Sequence, residues 1–403
     1  MESAVATTYE LDDPQKAADE LIASIKEQLE LKGNSVGILL CDADADGAAI
    51  TERIKGELGV TVAGMTTLAT FDPEGHHEGA TVLTVLTAND VTFATAVSQP
   101  LGEDYEQQII AAYQATVPAG RGAGTGAGIG DRPALVLAFC PNGEHFSGDK
   151  YPDVLSPVVG NAPIMGGVCS DDYDYERARV FLGGAEYKDS LVIVTLWGAA
   201  RPLFSIRHVT SQFAERIRRV VHARDNVVFT VGDETFVEYL EGFGLNIDVE
   251  DPLLAFTSYP MMLTREDKDE VPLMRHILSL DHETGAGTFV GDVPTGTLAN
   301  ICLVNRNDLK VSARESMEAL VRLMGEHTKD GYEYSTVLCI SCCGRAIILG
   351  SDSDAEGEAI SELLPAGLSL TGAYCLGEIC PSRYVDGEAV NRFHNCSITF
   401  CAF

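Results

Sequence analysis

The sequence predicts an α/β protein, with a mixed α+β arrangement as the alternative, in two lobes built from related strand–helix–strand units around mixed sheets. Three observations carry this. Apolar runs of strand length, rich in β-branched residues, alternate with stretches of helical period. The order of those runs recurs three times. A glycine stands at one offset inside the second strand of each recurrence.

Residues 1–34 read as a helical lead-in. The first copy opens with SVGILLC (Ser35–Cys41), then a helical stretch around Ala48–Leu58, the glycine-bearing strand TVAGMTT (Thr61–Thr67), and two alternating runs, TVLTVLT and VTFATAV. Pro118–Arg132 is too glycine-rich to pack and reads as a surface loop. The second copy has ALVLAFC (Ala134–Cys140), a short helix around Tyr151–Val159, APIMGGVC (Ala162–Cys169), and the strands SLVIVTLW and PLFSIRHV. The third has STVLCISC (Ser335–Cys342), a helix over Asp354–Leu364 capped by Asp354, LSLTGAYC (Leu368–Cys375), and NCSITFCAF. Overlaid, the first strands end at Cys41, Cys140 and Cys342. The second strands carry Gly64, Gly166 and Gly372, with Thr67, Cys169 and Cys375 three residues on. The expectation is that these strand ends face a common cleft, where small residues allow close approach. Between copies two and three, Asn226–Gly244 reads as a strand, a turn and a short helix. EVPLMRHILSLD and TLANICLVN read as strands, and Ser312–His327 as an amphipathic helix with a Ser312–Glu315 capping box.

Composition narrows the function. Lys and Arg total 28 against 60 Asp and Glu, a net charge of −32, which repels phosphate backbones and anionic membranes. No apolar run approaches the ~18 residues of a membrane span. The start lacks the basic and apolar segments of a signal peptide. A cytoplasmic protein with no nucleic-acid partner and no membrane insertion is expected. Its 11 cysteines are an odd number and are read as reduced thiols.

No Walker loop, hydrolase elbow, zinc-protease helix or dinucleotide fingerprint is present. Asp42, Asp44 and Asp46 resemble the start of a calcium loop, but the position of the closing glutamate holds Arg53, so a strand-end turn with a capping aspartate is favoured. Cys339, Cys342 and Cys343 have half of a metal-site spacing inside an apolar strand. The most informative cluster lies near the C-terminus: Cys342, Cys343, Gly344 and Arg345 after one strand, Gly377 and Glu378 after another, and His394 and Asn395 before the last. A guanidinium past a strand end suits a ligand carboxylate; it equally suits pairing with Glu378 or Asp352.

These residues carry a resemblance. The chain resembles FIST-domain proteins through GMTT, GGVCSDD (Gly166–Asp172) and NVVFTVGDETFVEYLEGFG in an N-terminal region. PLMRHILSLD, GDVPTGT, LCISCCGRAIILG, GAYCLGEICP and RFHNCSITF carry it in a C-terminal region. Cys396 stands where the family's usual glutamine follows His-Asn. The resemblance implies two FIST domains, 35–235 and 236–403, in a non-enzymatic intracellular sensor of small ligands, amino acids among them. A haem- or metal-dependent gas or redox sensor is the alternative. It implies a separate output protein such as a kinase or cyclase, and a cleft between lobes. The candidate ligand residues are Thr66, Thr67, Gly166, Gly167, Asp171, Asp172, Cys342, Arg345, Glu378, His394 and Asn395. Asp171 and Asp172 would meet a cationic group, Arg345 an anionic one, and Glu378 and His394 would fix orientation.

Overall fold

A computed structural model describes residues 1–119, 132–143, 147–173, 176–209, 211, 215–264 and 271–403. Most of the glycine-rich segment 118–132 lies outside the described residues. The architecture is mixed α/β, and its repeat is longer than strand–helix–strand. The first unit runs β1 (Glu2–Thr8), α1 (Pro14–Gln28), β2 (Asn34–Cys41), α2 (Gly47–Leu58), β3 (Thr61–Thr66), the hairpin β4 (Thr70–Asp72) and β5 (Gly75–His77), then β6 (Thr81–Ala88). The expected helical lead-in thus begins with a strand. Pro14 opens α1, and the Asp13 carboxylate accepts from the Gln15 and Lys16 amides, which satisfies donors the helix itself leaves open.

The second unit repeats this order: β7 (Val91–Val97), α3 (Tyr105–Ala115), β8 (Leu135–Cys140), α4 (Lys150–Val158), β9 (Ile164–Val168), the hairpin β10 (Val180–Leu182) and β11 (Ala185–Tyr187), then β12 (Val192–Gly198). The third starts at β13 (Leu203–His208) and is interrupted by an insert. The insert contains β14 (Arg218–Arg224), β15 (Val227–Val231), β16 (Glu234–Thr235), α5 (Phe236–Glu241), α6 (Pro252–Phe256), β17 (Met261–Thr264), β18 (Leu273–Arg275), β19 (Ile277–Asp281), β20 (Ala286–Phe289) and β21 (Leu298–Ile301). The unit then resumes with α7 (Arg306–Thr328), β22 (Thr336–Cys342), α8 (Cys343–Leu349), α9 (Asp354–Ser361), β23 (Ser369–Cys375), the hairpin β24 (Glu378–Val385) and β25 (Glu388–His394), and β26 (Ser397–Ala402).

Each unit forms four strands of a six-stranded sheet, and each sheet is completed by another unit's hairpin. The orders are β1-β6-β2-β3-β10-β11, β7-β12-β8-β9-β24-β25 and β13-β26-β22-β23-β4-β5. The second unit's hairpin therefore completes the first sheet, the third's completes the second, and the first's completes the third. The exchange closes a ring. Backbone bonds repeat the cycle: Ser170 donates to the Thr66 carbonyl, Leu68 to that of Tyr374, and Leu376 to that of Val168.

Strand alternation decides what each sheet face packs against. Ile38, Leu40, Leu137, Phe139, Leu338 and Ile340 turn inward and share one core. The residues between them turn outward under helices: Leu39 and Cys41 with α1 and α2, Ala138 and Cys140 with α3 and α4, Val337 and Cys339 with α7. The strand ends Cys41 and Cys140 thus lie in outer helix-covered layers, contrary to the expected common cleft. The overlay also needs a shift of one residue. Cys41 pairs with Thr66 and Cys140 with Val168, and the position that pairs with Tyr374 is Ser341, leaving Cys342 one place beyond.

The recurrent glycines have one cause. A Cβ on Gly64 would stand 1.9 Å from the Leu39 carbonyl oxygen, and one on Gly166 would stand 1.9 Å from that of Ala138. Neighbouring parallel strands approach too closely there for any side chain.

The insert forms its own eight-stranded sheet, with a separate core around Phe236, Tyr239 and Phe289. Residue 235 lies inside that sheet, since β16 pairs with β15. Two helix boundaries differ from expectation. α7 starts at Arg306, capped by Asn305 on the Asp308 amide, and Ser312 is buried within it. α9 is preceded by Ser353 with no side-chain cap.

Candidate functional site

A cavity of about 570 Å³ lies between the second unit, the third unit and the insert. The second unit contributes Asn142, Tyr151 and Val168, with Lys188 and Asp189 at an exposed rim. The insert contributes His276, Leu278 and Phe289. The third contributes Cys342, Cys343, Gly344, Ile347, Leu376 and Phe393.

The insert's wall is fixed by a buried clamp. Arg275, fully buried at the end of β18, donates Nη2 to Asp149 Oδ1 at 2.7 Å and Nε to the Asp292 carbonyl at 3.0 Å. Its Nη1 bonds the Met274 and Phe393 carbonyls at 3.0 and 3.2 Å. Asp149 Oδ2 accepts the Asp292 amide at 2.7 Å. The Asp292 carboxylate in turn accepts from Ser147 Oγ at 2.6 Å and Lys150 Nζ at 2.9 Å. Burial raises the Asp149 carboxyl to about 6 although Arg275 pulls it down. Three elements remote in sequence are thereby joined through one guanidinium, whose five donors suit such a junction.

His276 follows immediately, in the break between β18 and β19. It is 4% exposed, lines the cavity, and both ring nitrogens lack a hydrogen-bond partner. Burial lowers its pKa to about 4, so the ring is neutral near pH 7, with one donor and one acceptor. A Cβ on Gly344 would stand 2.5 Å from His276 Nε2, so only glycine at this point of α8 lets the ring pack where it does.

Cys342 and Cys343 form the cavity's floor at the junction of β22 and α8. Burial pushes the Cys343 thiol up to about 12 and the Cys342 thiol well above its ordinary value, so both stay protonated. Glu378, cross-strand from His394, is fully buried. Its Oε2 accepts from the Ser397 amide at 3.3 Å and from Ser397 Oγ, while Oε1 has no partner. Burial raises this carboxyl to about 8. His394 Nε2 lies 3.3 Å from the Cys380 carbonyl, its Nδ1 has no partner, and its ring sits 5.2 Å from that of His208. Burial holds His394 well below the usual histidine range. Asn395 Nδ2 bonds the His394 carbonyl at 3.0 Å and its Oδ1 is unpartnered.

Of the residues singled out from sequence, Cys342 lines this cavity. Glu378, His394 and Asn395 are buried and do not line it. Thr66, Thr67, Gly166, Gly167 and Asp171 are buried where the three units meet. Thr66 Oγ1 accepts the Arg179 amide at 2.9 Å, Thr67 Oγ1 lies 3.4 Å from the Cys41 carbonyl, Gly167 abuts Cys375, and Asp171 accepts the Arg177 amide at 3.0 Å. Asp172 is exposed and pairs with Arg177 at 2.6 Å.

Arg345 departs most from expectation. It lies in α8, not in a turn, and is fully buried. Its Nε donates to Glu356 Oε1 at 2.8 Å and its Nη2 to the same oxygen, to the Leu309 carbonyl at 3.1 Å and to Ser312 Oγ at 2.9 Å. Glu356 Oε2 accepts from Ser341 and Tyr374 at 2.9 and 2.8 Å. The partner is therefore Glu356 rather than Glu378, Asp352 or a ligand carboxylate.

Sequence reasoning missed Arg275, His276, Asp149 and Asp292. The available signal was Arg-His set inside the apolar run PLMRHILSLD, because a charge interrupting a strand needs a buried partner.

No curated protein matches the sequence. A solved structure, T. maritima PurL complexed with FGAR, aligns over 99% of this chain and 73% of its own at 9% identity, with a TM-score of 0.20. No helix of the described residues is long and apolar enough to cross a membrane. A family model for the FIST N domain matches residues 35–234 and one for the FIST C domain matches residues 234–381, domains associated with sensory signalling and small-ligand binding. The chain belongs to the FIST family.

Proposed function

We propose that this chain is a sensory binding module that takes a small molecule into the cavity between the second unit, the third unit and the insert. It then signals to a separate output protein such as a kinase or cyclase, in the cytoplasm. The observation that carries this is His276: a buried side chain at the wall of a 570 Å³ cavity with neither nitrogen bonded. Buried polar groups are nearly always satisfied, so an unpartnered one facing a space of ligand size marks a place for a ligand. The volume falls within the roughly 300–1,000 Å³ of small-molecule sites. Binding is favoured over catalysis because the cavity's thiols are held protonated and lack the activation a nucleophile needs.

The metal alternative is less well supported. Among the described residues no three His, Cys, Asp or Glu side chains are grouped to hold a metal ion. Among the described residues, a haem would find one neutral imidazole at this wall beside protonated thiols.

Native mass spectrometry and an absorption spectrum of gently purified protein test the reading. Ile347 is half-buried on α8 and lines the cavity, so Ile347→Trp fills the space with little cost to folding. The wild type should release a small molecule on denaturation and the variant should lack it. Retention of the same molecule by Ile347→Trp would overturn the proposal, and a haem absorption band would favour the alternative.

A further inference from the structure

We infer that the cavity's ligand is an uncharged molecule with an apolar or aromatic body and one amide-like polar group, rather than an amino acid or another carboxylate. This rests on the ligand-binding reading above and deepens it.

The cations around the described wall are already engaged. Lys188 lies 3.3 Å from Glu176 and Arg275 lies 2.7 Å from Asp149; Arg345 pairs with Glu356 through Nε and Nη2, and its unpartnered Nη1 belongs to a side chain that does not line the cavity. A carboxylate entering here would be desolvated and would have to compete with a bound carboxylate for a partner, which is unfavourable. The net charge of −32 adds a repulsive field. Among the described lining residues, the buried polar side chain without a partner is instead the uncharged ring of His276. An amide suits it at either nitrogen, since it offers a carbonyl acceptor to an N–H and an N–H donor to a bare nitrogen. A carboxylate uses only the N–H. Val168, Phe289, Ile347, Leu376 and Phe393 supply the apolar surface for the body. An amino acid's ammonium could meet Asp189 at the rim, but its carboxylate would face engaged cations.

The test uses three probes of similar shape: benzamide, benzoate and phenylalanine. Each is titrated calorimetrically at millimolar concentration into the full chain, into His276→Phe and into Gly344→Ala. Benzamide should bind wild type at least about tenfold tighter than the other two, the span of one neutral hydrogen bond plus avoided desolvation. His276→Phe should weaken benzamide about tenfold without lowering the melting temperature, because the ring gives up no protein hydrogen bond. Gly344→Ala keeps the imidazole but puts a methyl against Nε2, and should weaken benzamide too, which covers a failure of the first variant to fold. Benzoate or phenylalanine binding as tightly as benzamide, with loss in Ile347→Trp, would overturn the ligand class and leave the cavity reading standing. Benzamide affinity unchanged in both variants, or no probe binding, would also overturn the class, while the native mass spectrum decides the cavity reading separately.

Discussion

Arg345 shows how a residue's role follows from where its neighbours fold. Its guanidinium was visible in the sequence as a fixed charge just past a strand. Its partner was not, because Glu356 reaches it only after α8 and the turn beyond fold back over β22. Arg345→Lys retains the charge but loses the fork that serves Glu356, Leu309 and Ser312 together. Losing a charge-assisted hydrogen bond there should cost about 1.5–3 kcal/mol in denaturant melts and leave ligand affinity unchanged; lost affinity at full stability would restore the ligand role. Glu378 gives a second expectation. Its carboxyl rises from an ordinary 4.5 to about 8 on burial. Between those values the folded state holds a proton the unfolded state has released, so unfolding free energy falls as pH rises, by up to about 1.4 kcal/mol per pH unit. Buried His208 and His276, at about 3 and 4, act oppositely below about 6.5, where the unfolded chain takes up protons they refuse. His394, held well below the usual histidine range, joins them, while the buried thiols act with Glu378 as unfolded cysteines begin to ionise towards pH 8. The contrast between wild type and Glu378→Gln therefore isolates Glu378: wild type should lose melting temperature relative to the variant as pH rises towards 8, and parallel profiles would contradict it.

Among the elements, the long core strands such as β2, β8, β12 and β22 were legible because each is a run of buried apolar residues bounded by turn residues. The glycine offset was legible too, and its cause is the 1.9 Å approach that a Cβ would make to the neighbouring backbone. Gly64→Ala or Gly166→Ala must push two parallel strands apart. We expect losses at the upper end of the roughly 1–3 kcal/mol of core overpacking, read from melts, whereas Gly102→Ala, with open space around its Cβ, should be near neutral. Equal effects at the three sites would refute the close-approach argument. The short helix α8 was not legible. Cys-Cys-Gly reads locally as a turn, and only packing on β22 and β23 selects helix for it. The start of α7 was misplaced for a related reason: Ser312 and Glu315 mimic a capping box, while the true cap, Asn305, precedes a polar first turn.

For the whole molecule, the triplication was readable from order and spacing, but the ring of exchanged hairpins was not. Strands of two or three residues such as β4, β5, β10 and β11 carry too little pattern to name a distant partner. Their exchange interlocks the two sequence regions: β4 pairs with β23, and β24 pairs with β9. A fragment ending at residue 234 would leave one hairpin without its sheet and another sheet without its hairpin. It should show no cooperative melt or protected core amides, and a native-like fragment would contradict the exchange. The same interlocking brings His276 from the insert, Val168 from the second unit and Gly344 from the third to one cavity, which is where the functional account stands or falls. A crystal structure of the natively purified, full-length protein tests it most directly. We expect density for a small molecule in that cavity with a polar atom in hydrogen-bond reach of a His276 nitrogen; a cavity holding only waters bonded to His276, with a ligand bound elsewhere, would contradict the assignment.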